Sequence, residues 1–313
     1  MLEAGMFTVV VVGRSDVAAD VIALELALPD DGDLPAWDAG AHVDIGVGGD
    51  DVRQYSLCGS ATERSRWRIG VLRESHGRGG SAYLHDRAHI GCTLEVSLPR
   101  NNFPLVDASK FVFVAGGIGI TPILPMIAAA ECAGAEWQLY YGGRTRASMA
   151  FVDELAAYGD KVAILPQDEA GLLPLADIAR TAGTRTGVYC CGPEPLLAAA
   201  EQHEIGALHV ERFAPRPIAV DGPDSAFDVR ILSTGRAIRV APDQTLVDAL
   251  ERAGVSVVTS CREGTCSSCE TKVSSGIPIH RDSVLTDDER ERGETMMVCV
   301  SRAAALPVLV LDL

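Results

Sequence analysis

The chain has 313 residues, 47% of them hydrophobic and 22% charged, and a formal net charge of −16. That length allows two or three domains with their own cores, and that charge excludes a nucleic-acid partner, whose phosphate backbone repels such a surface. The start MLEAGMFTVVVVGRSD lacks the basic segment of a signal peptide and no run approaches the ~18 apolar residues of a membrane helix, so a cytoplasmic protein is expected, with its nine cysteines as thiols or metal ligands.

In chain order, residues 1–105 read as β structure. TVVVVGRS, VIALELAL, AHVDIGV, RQYSLCG, RWRIGVLRE and CTLEVSLP are short β-branched or alternating runs between Asp, Gly and Pro turns. They predict a small antiparallel barrel. Over 106–216 the texture changes to alternating strand and helix. FVFVAGG, WQLYYGG, KVAILPQ, GVYCCG and HVERF are the strands; ILPMIAAAECAG, FVDELAAYG, LLPLADIARTAG and PEPLLAAAEQHEIG are the helices. That alternation predicts a doubly wound parallel sheet. APRPIAVDGPDSA reads as a linker, placed at 217–226. Residues 227–313 follow with a hairpin, the helix TLVDALERAGV, a cysteine-rich loop and a final strand.

Two glycine turns sit where a nucleotide site needs them. GGIGITP (Gly116–Pro122) follows a β-branched strand and opens a helix; CGPEPL (Cys191–Leu196) repeats the arrangement. Such turns at adjacent carboxyl ends of a parallel sheet form a crevice for one ligand. Arg78-Gly79-Gly80-Ser81 opens another helix, whose N-terminus favours an anion, although alone it is equally a glycine-rich turn with a serine cap. RQYSL offers a guanidinium suited to phosphate and an aromatic face suited to a planar ring, and alone it is compatible with any strand.

Cys261-x4-Cys266-x2-Cys269, with Cys299 downstream in MVCVSRA, is the plant-type spacing for a [2Fe–2S] cluster. Gly264, Thr265, Ser267 and Ser268 let the loop wrap closely and aim N–H groups at sulfur. A structural zinc site is the competing reading, but zinc usually takes a paired-cysteine knuckle on each side, and here the distal half has one cysteine. Cys58, Cys92, Cys132 and Cys190 are expected as buried small hydrophobes. His42, His76, His85 and His280 are expected at surfaces or turns.

CREGTCSSCETKVSSGIPIHRDSVLTDDER followed by MMVCVSRA resembles the C-terminal ferredoxin domain of the phthalate dioxygenase reductase family, which includes vanillate O-demethylase reductases. RQYSL, GRGGSAYLHD, SLPRNNFPL, AGGIGITPILPM, CGPEPLL and ERF occur in the family's order, so the resemblance covers essentially the whole chain. It implies a multidomain β, α/β and α+β protein: an antiparallel flavin-binding β-barrel, a doubly wound nucleotide domain and a β-grasp plant-type ferredoxin domain.

By the same resemblance the cofactors are FMN, NADH and the cluster. Arg53, Tyr55, Ser56 and Leu57 line the flavin, with Tyr55 along the ring and Ser56 near its reactive N5 edge. Val71, Leu72 and Arg73 pass beside it, and Arg78, Gly79, Gly80 and Ser81 hold its phosphate. Gly116, Gly117, Gly119 and Pro122 form the nucleotide turn, Thr121 reaches the junction between flavin and nicotinamide, and Cys191 and Gly192 border the nicotinamide. Phe213 packs on the flavin and moves for hydride transfer; its plainer reading is a core aromatic. Arg144 and Arg146 follow the second strand, near the adenosine ribose. Arginine there can accept a 2′-phosphate and no acidic residue follows that strand, so NADH is expected on family grounds.

The expected activity is that of an oxygenase reductase in aromatic catabolism. It passes electrons from NADH one at a time to a Rieske-type terminal oxygenase and is expected as a monomer. A haem monooxygenase partner is the first alternative. A non-enzymatic redox sensor or zinc-stabilised module is the second. A free-flavin reductase is the third, and the ferredoxin segment argues against it.

Overall fold

The computed structural model describes residues 5–49, 51–75, 77–183, 185–203, 205, 207–216, 223–304 and 306–313. His76 and linker positions 217–222 lie outside the described residues. The chain divides into two units, Met1–Glu211 and Arg212–Leu313.

The first unit begins with six antiparallel strands: β1 (Met6–Ala18), β2 (Val21–Ala27), β3 (His42–Gly46), β4 (Val52–Ser56), β5 (Trp67–Leu72) and β6 (Thr93–Ser97). Their order is β4-β3-β6-β1-β2-β5. The sheet closes where Leu57 bridges Ile69 and the Cys58 N–H donates to Arg68 O at 2.8 Å. Closure removes the free edges and makes the expected barrel. Its core is aliphatic around Trp67, with Leu24, Leu26, Ile45 and Ile69 fully buried. The helix α1 (Gly80–Arg87) lies between β5 and β6.

The second half of this unit is a five-stranded parallel sheet. Its strands are β7 (Lys110–Gly116), β8 (Glu136–Gly143), β9 (Val162–Pro166), β10 (Gly187–Cys191) and β11 (Ala207–Glu211), in the order β11-β10-β7-β8-β9. The crossovers carry α2 (Ile120–Cys132), α3 (Val152–Leu155), α4 (Gln167–Ala170), α5 (Leu175–Ala182) and α6 (Glu194–Gln202). Near-continuous apolar strands such as FVFVAG are buried on both faces, as helices on both sides require. FVDELAAYG is not one helix: after the short α3 the chain tightens into a 3-10 stretch, with Gly159 at φ 54. The short α4 was not anticipated.

The second unit is α+β. Its strands are β12 (Phe227–Ile231), β13 (Ala237–Val240), β14 (Glu270–Ser275), β15 (Pro278–Ile279), β16 (Thr295–Met297), β17 (Arg302–Ala303) and β18 (Leu309–Leu311), with helices α7 (Leu246–Arg252) and α8 (Asp287–Arg292). The main sheet has the order β13-β12-β18-β14-β16. Leu246, Val247, Ala249 and Leu250 of α7 are buried in its core. Thr245 caps α7 by accepting the Asp248 N–H at 3.1 Å.

Several expectations need correction. Cys58 and Cys190 are buried as anticipated, but Cys92 is half-buried and Cys132 is exposed near the end of α2. His42 is buried on β3, a strand whose two faces are both covered. The His280 side chain is only 8% exposed, 3.7 Å from Asp282. His85 bonds the Val71 carbonyl at 2.9 Å, fixing α1 against β5. Among the described residues no helix is long and apolar enough to cross a membrane.

Candidate active site

The barrel's candidate site gathers on β4, the end of β5 and the start of α1. Gly79 precedes α1 with φ 86, and no acidic residue occupies the first turn. Arg53 lies across that helix start: a Cβ at Gly80 would sit 2.5 Å from Arg53 Cγ and 2.9 Å from its Nε. Only glycine admits the side chain here. Arg53 is anchored through Nη1, which donates to Val52 O at 2.8 Å. A guanidinium held against the positive end of a helix is a repulsive pairing that an anion between them reverses. Ser81 Oγ accepts from the Glu74 N–H at 3.0 Å, fixing the loop that carries Arg78.

Tyr55 and Ser56 follow on the same strand. Burial pushes the Tyr55 phenol above its ordinary range. Ser56 is 5% exposed and its buried hydroxyl has no hydrogen-bond partner within the chain. Such a group costs free energy unless a ligand answers it. An orphaned hydroxyl beside a half-buried tyrosine and a cationic anion cradle fits a flavin phosphate and ring. Leu57 and Val71 are buried and Leu72 half-buried around them. Arg73 spends its guanidinium on Asp86 at 2.8 Å and holds that carboxyl below its usual range.

The two glycine turns meet backbone to backbone. A Cβ on Gly119 would lie 2.3 Å from Cys191 O, and one on Gly192 3.0 Å from Gly116 Cα. Gly117 takes φ 55, a left-handed conformation that favours glycine. The Tyr141 hydroxyl lies 3.1 Å from Gly117 O and 3.2 Å from Ala150 O, tying the turn to the end of β8. Thr121 is 2% exposed and donates its hydroxyl to Ile118 O at 3.0 Å. Pro122 is buried beside it, and Pro125 has no N–H to return to the Thr121 carbonyl, which is left for another donor.

The barrel touches this turn. A Cβ on Gly70 of β5 would sit 2.8 Å from Thr121 Cγ2 and 3.5 Å from Ile118 Cδ1. Arg68 clamps the same contact: it bonds Glu154 at 2.9 and 3.0 Å and stacks over Phe151, 5.0 Å from the ring centroid.

In the second unit Cys261, Cys266 and Cys269 lie in the loop between α7 and β14, with Cys299 after β16. Hydrogen bonds from the Cys266 and Cys299 thiols favour the Cys261 thiolate, and Cys269 bonds Cys299. Four thiols drawn together at this spacing fit a two-iron cluster. The Glu263 and Thr265 N–H groups point at Cys261 Sγ at 3.3 and 3.5 Å, and Ser268 Oγ lies 3.4 Å from Cys266 Sγ. Gly264 has φ 71, and a Cβ there would meet Val300 at 2.6 Å. Its carbonyl accepts the Ser283 N–H at 2.8 Å, so the loop is buttressed from the segment before α8.

Residues 229–304 match the family model of the 2Fe-2S iron-sulfur cluster binding domain. Over 302 residues the chain is 42% identical to phenoxybenzoate dioxygenase subunit beta of Ectopseudomonas oleovorans, covering 95% of this chain and 94% of that protein. It is 39% identical to vanillate O-demethylase oxidoreductase of Pseudomonas putida, covering 98% of this chain and 100% of the other. The solved structure of phthalate dioxygenase reductase superposes with a TM-score of 0.72 at 36% identity, over 99% of this chain and 98% of that one. The chain belongs to the phthalate dioxygenase reductase family. It is accordingly an oxidoreductase of the iron–sulfur flavoprotein type. An intact type IV self-sufficient cytochrome P450 monooxygenase also matches, with a TM-score of 0.90 and 40% identity over 98% of this chain, which spans 41% of that larger protein.

Within this family member the expected residues fall into three groups. Arg53, Tyr55, Ser56, Leu57, Gly79, Gly80 and Ser81 cluster on the barrel. Gly116, Gly117, Gly119, Thr121, Cys191 and Gly192 cluster at the sheet's carboxyl edge. Phe213 belongs to the second unit and is 45% exposed.

The sequence reading missed three residues. Glu211, last on β11, is paired with Cys191 across the sheet, its Oε2 4.0 Å from Cys191 Sγ. Burial pushes its carboxyl up to about 8 and the Cys191 thiol up as well. Gly70 was legible as a glycine inside a strand, a mark of close backbone approach. Glu169, from the end of β9, reaches Arg146, although no acid follows β8 itself.

Proposed function

We propose that this chain is the cytoplasmic reductase component of a two-component oxygenase. It carries electrons from NADH through FMN and the [2Fe–2S] cluster, one at a time, to a Rieske-type terminal oxygenase. Segments 1–105, 106–216 and 227–313 hold the flavin, nucleotide and cluster, joined through the linker at 217–226. Bound there, FMN would accept a hydride's two electrons from NADH and pass them singly to a one-electron cluster.

The protein's own work is placement. Arg53, Arg78 and the N–H groups of Gly79, Gly80 and Ser81 bind the flavin phosphate. The Ser56 hydroxyl orients the reactive ring edge, Tyr55 lies along the ring, and Leu57, Val71 and Leu72 exclude water. Arg73 serves through its backbone, its side chain being engaged by Asp86. Gly116, Gly117, Gly119 and Pro122 shape the turn for the pyrophosphate, with Arg144 beyond it, while Thr121, Cys191 and Gly192 seat the nicotinamide. No general base is required. Cys261, Cys266, Cys269 and Cys299 hold the cluster.

The observation that carries this reading is the contact of Gly70 with Thr121 and Ile118, which sets the flavin-side strand on the nucleotide turn. The test is reconstitution of the monomeric reductase with a Rieske-type oxygenase and, separately, with a haem monooxygenase. NADH-dependent product with the first supports the proposal. Product with the haem enzyme alone would favour the second reading, which the 0.90 TM-score match to a self-sufficient P450 suggests.

A further inference from the structure

The coenzyme's course over the sheet follows from the proposed function, on which this inference rests. With the pyrophosphate at the Gly116–Gly119 turn and the nicotinamide toward β10 and the barrel, the adenosine has to run the other way, over the carboxyl ends of β8 and β9. Those ends are in register, Gly143 opposite Pro166. The Asp168 N–H donates to Arg144 O at 3.3 Å and ties the two exit loops together.

Across this junction Arg146 and Glu169 form a two-point ion pair, Nη2 to Oε2 at 2.7 Å and Nε to Oε1 at 3.2 Å. Both side chains are about half exposed, at 52% and 50%, so the pair adds little to stability. Its geometry matters more than its strength. A guanidinium fork is the group best suited to a 2′-phosphate, and here a carboxylate fills it. Asp168 puts a second negative charge on the same four-residue α4. Arg144 is exposed, and among the described residues no hydrogen bond or ion pair engages its side chain.

We propose that Glu169 determines coenzyme specificity: by occupying the Arg146 fork it reserves this subsite for the free 2′-hydroxyl of NADH and rejects the 2′-phosphate of NADPH. The carboxylate acts in two ways at once. It withholds the Arg146 fork, and it repels the dianionic phosphate, an effect on the order of tenfold for an exposed charge pair.

The test uses the complete reductase with a one-electron dye as acceptor and compares kcat/KM for the two coenzymes. Glu169→Gln is expected to raise the ratio of kcat/KM for NADPH over that for NADH about tenfold or more. Arg146→Ala in the Glu169→Gln background is expected to abolish the gain. Inhibition by 2′,5′-ADP should tighten in Glu169→Gln while inhibition by 5′-AMP stays constant. Unchanged NADPH use in Glu169→Gln overturns the proposal, as does a wild-type protein that uses both coenzymes equally. If neither 5′-AMP nor 2′,5′-ADP competes with NADH in the wild type, the placement of the coenzyme itself fails, and the proposed function with it.

Discussion

Ser56 and Arg53 lie three positions apart on one strand, yet they ask different things of a ligand. Ser56 is a buried hydroxyl without a partner in the chain, so its removal should cost chemistry more than folding. Ser56→Ala is expected to slow NADH-driven bleaching of the flavin roughly ten- to a hundredfold, with FMN content unchanged, in anaerobic stopped-flow measurements. Arg53→Ala removes a charge-assisted contact and should weaken FMN retention by about 2 kcal/mol, read as flavin lost on gel filtration. Glu211 makes a prediction about pH. Its carboxyl is raised by burial to about 8, above the ordinary 4.5, so the folded state binds a proton that the unfolded chain releases earlier. The stabilisation is full below pH 4.5 and is lost as pH rises through about 8. Thermal unfolding followed from pH 5 to pH 9 should show a declining midpoint, and Glu211→Gln should flatten the decline.

At the scale of elements, the glycine turns show why some of the site was legible and some was not. GGIGITP and CGPEPL announce themselves because a strand, a glycine turn and a helix follow one another locally. What the turns pack against is not local: Gly119 meets Cys191 O, and only the fold brings positions so far apart together. Gly119→Ala keeps an ordinary backbone conformation, φ −62, so its cost is the collision alone. It should destabilise the first unit by about 1–3 kcal/mol and raise KM for NADH, checked by thermal unfolding and steady-state kinetics. The cluster loop was the most legible element, its cysteine spacing carrying the assignment by itself. Its supports were not: the Ser283 N–H that bonds the Gly264 carbonyl and the Asp248 carboxylate that pairs with Arg262 at 3.2 Å come from other segments. The acid partner of Arg146 was missed for the same reason, since it arrives on α4, after the neighbouring strand β9.

At the scale of the whole molecule, two units separate along the chain at Glu211 and Arg212. The barrel and the nucleotide sheet are joined by Arg68, Glu154 and Phe151, whereas the cluster has a core of its own around Phe227, Leu250 and Leu311. The alternation of textures along the sequence, strands first and then strand–helix pairs, is enough to read this architecture, because each layer buries its apolar face with its own period. A relay divided this way predicts that the two redox groups can be silenced separately. Cys261→Ser should remove the cluster's iron while leaving FMN and its reduction by NADH intact, measured as iron content and visible bleaching.

The central claim is that NADH electrons cross from flavin to cluster within this one chain. Anaerobic titration of the purified protein with NADH, followed by low-temperature electron paramagnetic resonance alongside FMN and iron assays, tests it most directly. The expected result is about one FMN and two irons per chain and a reduced [2Fe–2S] signal that grows toward about one spin per chain. A flavin that bleaches while no cluster signal develops, or a colourless protein that holds zinc, would contradict it.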